Sequence, residues 1–274
     1  MSGPTSIKTQ SRELKARSVL YRALALFFRH PGKEHLKLLT GKMIQEWRDA
    51  VQILNEAGPN GLRKAFEAVA QSLETISLRQ WTEEFERLFG HAAHGAIPPY
   101  ELEYGEPHSH REPQELGDIA AFYQAFGLQR SENIRERVDH AAVECDFLNF
   151  LAFKEAYALE HHGEEKSGIC REARRHFLRD HLGRWLPVFT TRLAKHAQGG
   201  LYGAVADLAF TFMAEECAQL GIQPGPPDLP LRVLGTPREI ACGACPIKEL
   251  PIGSRGLNPG YPDAPTDADD PASV

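Results

Sequence analysis

The sequence predicts an all-α protein: a single helical-bundle domain of about ten helices, followed by an irregular C-terminal tail. Apolar residues recur at helical spacing in one segment after another, and Gly or Pro closes several of these segments. No run of β-branched residues alternates with polar ones, and no hairpin turn signal is present. Hydrophobic residues make up 42% of the 274 positions, which is enough for a core through most of the chain.

The predicted helices follow one another along the chain, with a long loop at 90–112. The first runs from Ser11 to Arg29, after a flexible lead-in at residues 1–10. Ser77 and Gln80 form a capping box that opens a helix ending at Gly90. The other helices are predicted at 33–39, 42–56, 61–75, 114–126, 140–162, 168–182, 185–197 (with Pro187 in its first turn) and 201–220.

The end of the chain differs in composition. Residues 221–274 hold more than half of the chain's 19 prolines, and such a segment buries too little apolar surface to offset its ordering entropy. We therefore expect one helical domain at 11–220 and a mostly irregular tail at 221–274. The tail carries Cys242 and Cys245 at a spacing used in metal and thiol-exchange sites. Because a closed zinc site needs four ligands, chance spacing, a metal role and a redox role all stay open.

Charge and composition exclude several classes of protein. Lys and Arg number 31 and Asp and Glu 37, a net charge of −6, whereas nucleic-acid-binding surfaces are basic. No apolar run is long enough to span a membrane, and the N-terminus lacks the apolar core of a secretory signal. Together with five cysteines, an odd and low number, these features predict a cytoplasmic protein.

No catalytic motif is visible. The sequence lacks a nucleophile elbow, a phosphate-binding glycine loop and a dinucleotide fingerprint. Three pairs of histidines could serve a metal-dependent enzyme, but none has a recognised metal-ligand spacing, so we interpret them as solvated and expect neither an enzyme nor a cofactor. These pairs are His91 and His94, His108 and His110, and His161 and His162.

The stretch from Ile97 to Gly105 interrupts the helical pattern. Pro98 and Pro99 fix φ and remove two backbone donors, so the chain is extended there. Two tyrosines and two glutamates follow, and acidic residues continue to Asp118 against a single arginine, Arg111. We interpret this acidic-aromatic loop as a place to hold a basic, partly apolar peptide rather than as a catalytic pocket.

The segment at Val138-Asp139-His140 opens another helix. Its simplest interpretation is structural: Asp139 is the N-cap, and His140 is a surface residue in the first turn, within reach of Glu144 one turn later. The functional alternative places Asp139 and His140 at the mouth of a groove, in contact with a bound cationic segment. Spacing alone favours the structural interpretation.

Several segments together, by their order and spacing, resemble the TorD/DmsD/NarJ family, the cytoplasmic chaperones of molybdenum-containing redox enzymes. The resemblance spans about residues 11–220, and the Pro-Pro-Tyr-Glu and Asp-His segments carry most of it. One departure is Glu136-Arg137-Val138, where the family often has a proline before Asp-His. The matching segments lie at 20–31, 85–89, 98–104, 118–128, 138–148 and 181–189.

The resemblance implies a TorD-like fold and a function. Family members bind the twin-arginine signal peptide of a redox-enzyme precursor and hold it back from export while the molybdenum cofactor is inserted. The expected partner is therefore the precursor of a molybdenum-containing oxidoreductase subunit, bound by a monomer or a domain-swapped dimer. The peptide-binding residues expected from the resemblance and the acidic loop together are Tyr21, Pro99, Tyr100, Glu101, Glu103, Tyr104, Asp118, Asp139, His140 and Glu144.

A twin-arginine signal presents two guanidinium groups followed by an apolar stretch. Carboxylates bind arginine through paired hydrogen bonds, so we expect the acids of 101–118 and Asp139 to meet the arginines. The apolar stretch would lie in a groove between helices. Its lining is expected to include Tyr21, Tyr100 and Tyr104. The alternative function is a cofactor or iron–sulfur insertion factor that uses Cys242 and Cys245.

Overall fold

The structure is a computed structural model, and it describes residues 4–33, 35, 37, 42–56, 61–90, 97–106, 112–129 and 136–232. Within these ranges the protein has nine α-helices and no strand, which confirms the predicted fold class. None of these helices is long and apolar enough to cross a membrane. The helices are α1 (Pro4–Phe27), α2 (Lys42–Asn55), α3 (Gly61–Thr75), α4 (Leu78–Phe89), α5 (Glu112–Ala125), α6 (Ala141–His161), α7 (Glu164–Asp180), α8 (Leu182–Ala197) and α9 (Gly200–Gln219).

The starts of the first helices follow local chemistry. α1 begins at Pro4 rather than at Ser11, consistent with the preference of proline for the first turn of a helix. α4 begins as predicted: the Gln80 N–H donates to the Ser77 hydroxyl at 3.2 Å, and the Ser77 N–H donates to the Gln80 side chain at 3.0 Å. The helix predicted at 33–39 falls largely outside the described residues.

α8 begins earlier than predicted, at Leu182, so Pro187 lies inside the helix and not in its first turn. A proline has no N–H, and the Gly183 carbonyl therefore lacks its usual helical donor. The Gly225 N–H donates to that carbonyl instead, at 2.9 Å. The helix can start early because a segment distant in sequence satisfies the group that Pro187 leaves free.

The core is built from aromatic residues of several helices. α1 packs along α6 and α2, and α9 packs against α8 and α3. The Trp81 indole donates to the Tyr202 hydroxyl at 2.9 Å, which donates to the Phe27 carbonyl at 3.0 Å, so α4, α9 and α1 are joined by one buried chain. Each such ring contributes about 1.5–3 kcal/mol through burial.

Residues 221–232, the described stretch after α9, fold back onto the bundle without forming a helix. The Gly105 N–H donates to the Pro230 carbonyl at 2.8 Å, and the Arg232 N–H donates to the Glu103 carbonyl at 2.7 Å. These bonds pin residues 221–232 against the Pro-Pro-Tyr-Glu loop, although the composition of this stretch predicted an irregular tail beginning at 221.

Candidate functional site

The two segments that the sequence singled out lie side by side. The Ala141 N–H donates to the Pro99 carbonyl at 2.8 Å, and the Glu101 N–H donates to the Asp139 carbonyl at 2.9 Å. Pro98 and Pro99 have no N–H to offer, so this part of the loop bonds through its carbonyls. The acidic-aromatic loop and the start of α6 therefore form one unit.

Asp139 is fully buried and is already paired within the chain. Arg137 donates two hydrogen bonds to its carboxylate, at 2.9 and 2.7 Å, and the Leu102 N–H donates another at 3.2 Å. Burial raises the pKa of Asp139, and the charge and hydrogen bonds of Arg137 act in the opposite direction. Its carboxylate is therefore already paired with a cation of this chain.

His140, and not Asp139, is the N-cap of α6. Its Nδ1 accepts from the Ala142 N–H at 3.1 Å, and the ring is buried, so the predicted exposed position in the first turn was wrong. Burial, aided by two nearby arginine charges, lowers the pKa of His140 to about 3, so the ring is neutral. Because Nδ1 accepts, the ring proton is on Nε2, which faces the Glu136 carboxylate at 3.8 Å.

Glu101 and Glu144 form a buried carboxyl pair beneath the loop. Burial alone would raise the pKa of Glu101. His181 and Arg184, in contact at 3.1 and 2.5 Å, outweigh burial, so the pKa of Glu101 is lowered. The Trp185 indole donates to Glu144 at 3.2 Å. Burial and then the Glu101 charge raise the pKa of Glu144 well above its usual value. The second Glu144 oxygen accepts from no donor in the described part, and a protonated Glu144 can donate from it to Glu101.

Two tyrosines expected to line an apolar groove lie inside the bundle. Tyr104 stacks on Trp185 with ring centroids 5.4 Å apart, and its hydroxyl donates to the Pro98 carbonyl at 2.9 Å. The Tyr21 hydroxyl donates to Glu216 at 2.8 Å. Both rings are fully buried, so neither lines a groove on the surface.

Sequence reasoning missed the ionic network around Tyr21. Arg174 bridges Glu155 and Glu216 at 3.1 and 3.0 Å, and Arg17 also pairs with Glu216. These charges lie on α1, α6, α7 and α9, and at least three of them are fully buried. A charged residue on an amphipathic helix is normally assigned to the solvent face, so no local signal could have revealed this network.

Among the predicted site residues, Tyr100 and Asp118 are the ones with substantial exposure. Tyr100 is half-buried, with the Arg137 guanidinium 4.7 Å from its ring and its hydroxyl 3.5 Å from Glu136. Asp118 is exposed on α5. Glu136, which sequence reasoning named only as part of a departure from the family pattern, is the carboxylate at this surface. The buried ones are Tyr21, Pro99, Glu101, Glu103, Tyr104, Asp139, His140 and Glu144.

A pocket of about 290 Å³, here called the α5–α6 pocket, opens beside Glu136. The Arg29 guanidinium, which also lines it, is bound to Asp146. The pocket thus combines apolar walls with two carboxylates, one of which already holds an arginine. The rest of its lining is Tyr123, Leu128, Gln129, Val138, Val143, Phe147 and Phe150.

A larger depression of about 1040 Å³, here called the α6–α7 groove, adjoins this pocket, because Phe150 lines both. Its lining is mainly apolar and includes three large side chains that are about half exposed. The other residues of the groove are Ala125, Phe126, Phe153, Lys154, Tyr157, Ala158, His162, Lys166, Ile169 and Cys170.

Nothing in the described ranges forms a metal centre. No group of three or more His, Cys, Asp or Glu there could hold a metal ion. His161 and His162 are exposed, and the other histidine pairs lie outside the described residues, as do Cys242 and Cys245. The described cysteines are free and buried; they are Cys145, Cys170 and Cys217.

Comparison with known proteins gives a consistent result. The family model described as nitrate reductase delta subunit matches residues 55–191, half of the chain. The chain is 36% identical over 92 residues to the chaperone protein TorD of Vibrio cholerae, covering 34% of this chain and 40% of that protein. It is 35% identical over 111 residues to the selenate reductase assembly chaperone protein of Thauera selenatis, covering 39% and 56%.

The perchlorate reductase assembly chaperone protein of Dechloromonas aromatica matches over a longer stretch. The two are 30% identical over 207 residues, which cover 72% of this chain and 87% of that protein. The V. cholerae match, by contrast, spans less than half the length of its protein. A family model over half of the chain and a relative aligned over most of both lengths lead to one conclusion: the chain belongs to the nitrate reductase delta subunit family, the TorD/NarJ family.

Proposed function

We propose that the protein is a cytoplasmic chaperone for the assembly of a molybdenum-containing oxidoreductase. It binds the twin-arginine signal peptide, or the apo-form, of the catalytic subunit and holds it until the cofactor is inserted; it catalyses no reaction. Family membership is the observation that carries this proposal, since relatives are named as assembly chaperones of selenate and perchlorate reductases.

The surface that best suits a signal peptide is the α5–α6 pocket. An incoming guanidinium needs an accessible carboxylate, and Asp139 and Glu101 already hold cations of this chain. The Glu136 side chain is 45% exposed. The two side chains in contact with it, His140 and Tyr100, are neutral, because burial lowers the pKa of His140 and raises that of Tyr100. Glu136 is therefore the proposed contact for an arginine of the signal.

The buried residues expected to bind the peptide act in this proposal as supports. Asp139 and Glu103 hold Arg137, whose guanidinium lies over the Tyr100 ring. His140 fixes the start of α6 beside Glu136. The Asp-His pair thus shapes the mouth of the pocket from beneath and does not touch the ligand.

The first prediction is that Glu136 contributes to the binding of a twin-arginine signal peptide, as measured by calorimetric titration of the purified protein. The ligands are twin-arginine signal peptides of molybdenum-containing oxidoreductases, each with a twin-lysine counterpart. We expect Glu136→Gln to weaken binding by about tenfold, because it removes a charge-assisted hydrogen bond. Glu83→Gln, on the exposed face of α4, is the matched control and should change nothing.

Two results would contradict the proposal in different ways. If no signal peptide binds, peptide recognition is wrong and family membership alone remains. If a peptide binds equally to the Glu136→Gln variant, the protein recognises the signal at another surface.

The expected oligomeric state, a monomer or a domain-swapped dimer, belongs to the same proposal. A swap would exchange helices across a connection such as residues 127–139. Light scattering of the purified chain distinguishes the two states, and a larger assembly would contradict both.

A further inference from the structure

We propose that the α6–α7 groove is a second docking site, which takes an amphipathic helix with an apolar stripe and acidic flanks from a partner protein. Its chemistry is opposite to that of the α5–α6 pocket. Glu136 and Asp146 line the pocket, whereas the charged residues that line the groove are the cationic Lys154 and Lys166. This inference goes beyond the proposed function, because a basic signal peptide and an acidic helix require different surfaces.

The floor of the groove is an apolar surface of unusual exposure. Phe153, Tyr157 and Ile169 are 54%, 48% and 55% exposed. Of the large hydrophobic side chains that stand out as exposed in the described ranges, these share the groove, whereas Phe210 lies on α9. Contiguous apolar patches of this kind mark interaction sites, whereas single exposed hydrophobic residues do not.

The shape of the groove fits a helix. Phe150, Phe153 and Tyr157 recur at one-turn spacing along α6, and Lys166 and Ile169 do so along α7. From Phe150 to Tyr157 the floor extends about 10 Å, or two helical turns. A groove between two packed helices can accept the side chains at positions i, i+3, i+4 and i+7 of a third helix.

The charge of the rim identifies the kind of helix. The Lys154 ammonium lies 5.5 Å from the Phe126 ring centroid and 5.1 Å from that of Phe150. In the described part of the chain, neither Lys154 nor Lys166 pairs with a carboxylate. His162 adds a third basic side chain. A cationic rim on a chain of net charge −6 is a local feature that favours acidic flanks in the ligand.

The same charges argue against two other occupants. In a two-fold dimer through this groove, the lysines of one copy would face those of the other, which is unfavourable. An anionic membrane would be repelled by the net charge of −6, and the apolar surface here lies in a groove between two helices, not along the face of one amphipathic helix as in interfacial anchors.

The test uses fluorescence anisotropy on the full-length protein. The probe is a labelled peptide of about 18 residues with leucines at i, i+3, i+4 and i+7 and glutamates on both flanks; its counterpart carries lysines on the flanks. We expect saturable binding of the glutamate peptide and at least about tenfold weaker binding of the lysine peptide. Lys154→Glu with Lys166→Glu should reverse this preference.

Apolar variants test the floor of the groove. Phe153→Ser should weaken binding of the glutamate peptide by about tenfold. Phe210→Ser is the matched control, since Phe210 is 46% exposed but lies on α9, outside the groove. Circular dichroism confirms that each variant is folded.

Several outcomes would overturn the proposal. These are absence of saturable binding, equal affinity for the two peptides, or Phe153→Ser binding like the wild type. If no peptide binds and the lysine variants abolish binding to anionic phospholipid vesicles, the groove is a membrane contact. If Phe153→Ser converts a dimer into a monomer, the groove is an interface between two copies of the chain. Titration with saturating signal peptide present separates this proposal from the first: the glutamate peptide should still bind, and displacement would make the groove the signal site.

Discussion

The inner layer of the candidate site contains two acids, Glu101 and Glu144, whose pKa values are shifted in opposite directions. Glu101 lies against His181 and Arg184, which lower its pKa despite burial, whereas Glu144 meets an indole and another carboxylate, and its pKa is raised. One residue is therefore an anion, and its neighbour is a neutral acid able to donate to it. This arrangement buries two carboxyl groups with only one charge.

The second prediction concerns the pH dependence of stability. The pKa of Glu144 is raised above 4.5 in the folded state, so the stability that it contributes is present below pH 4.5 and is lost as the pH rises toward its folded value. Glutamine keeps the acceptor for the Trp185 indole and a donor for Glu101. We expect Glu144→Gln to flatten the fall in unfolding free energy as the pH rises above 4.5, measured by urea denaturation.

Glu101→Gln is the contrasting variant. The pKa of Glu101 is lowered, so its contribution is present above pH 4.5 and is lost as the pH falls through its folded value. This variant should be less stable at neutral pH by about 2 kcal/mol, because the His181 and Arg184 side chains lose their anion. Equal pH profiles for the two variants would show that the carboxyl pair does not share its protons in this way.

At this scale the sequence identified two segments that adjoin in the fold, but not the burial of their acids. The Pro-Pro-Tyr-Glu loop and the Asp-His pair do come together. Glu101 was expected at the surface because its partners are far away in sequence: His181 and Arg184 come eighty or more residues later. Burial of a charge depends on such partners, and no local pattern encodes them.

At the scale of the helices, glycines set how closely α7, α8 and the returning chain approach one another. A methyl group added at Gly183 would overlap the Leu178 carbonyl oxygen, and one at Gly225 would overlap the Arg184 carbonyl. Both positions adjoin Arg184, which binds Glu101. The packing of this junction therefore supports the acidic loop.

The third prediction is that Gly183→Ala destabilises the protein by about 1–3 kcal/mol, since the backbone of α7 must shift to make room. Gly117→Ala in α5 is the matched control. Nothing lies within 4 Å of a methyl group there, so the change should stabilise the helix by up to about 1 kcal/mol. Thermal unfolding measures both, and equal stability of Gly183→Ala and wild type would rule out the close approach.

Helices were predictable where the signals were local. The Ser77 capping box fixed the start of α4, and periodicity found the long helices. The start of α8 was misplaced because Pro187 normally belongs in a first turn. Its position inside the helix depends on the Gly225 N–H, which comes from a segment that composition assigned to an irregular tail.

For the molecule as a whole, net charge and local charge have separate consequences. The chain carries −6 overall, and the α5–α6 pocket shares that sign, whereas the rim of the α6–α7 groove opposes it. Long-range attraction acts on the rate of encounter, and close pairs act on the lifetime of a complex. The two proposed ligands should therefore respond to salt in different ways.

The fourth prediction is that raising the salt concentration from about 0.05 M to about 0.5 M lowers the association rate of a twin-arginine peptide by about tenfold, because the attraction of an acidic protein is screened. The glutamate-flanked helix should associate no more slowly at high salt, since screening also removes its repulsion. Stopped-flow fluorescence measures both rates, and a salt-independent rate for the signal peptide would exclude steering by net charge.

The twin-lysine peptide carries the same charge and should share this salt dependence. A difference confined to its faster dissociation would then show that the site recognises the paired geometry of the guanidinium group and not charge alone.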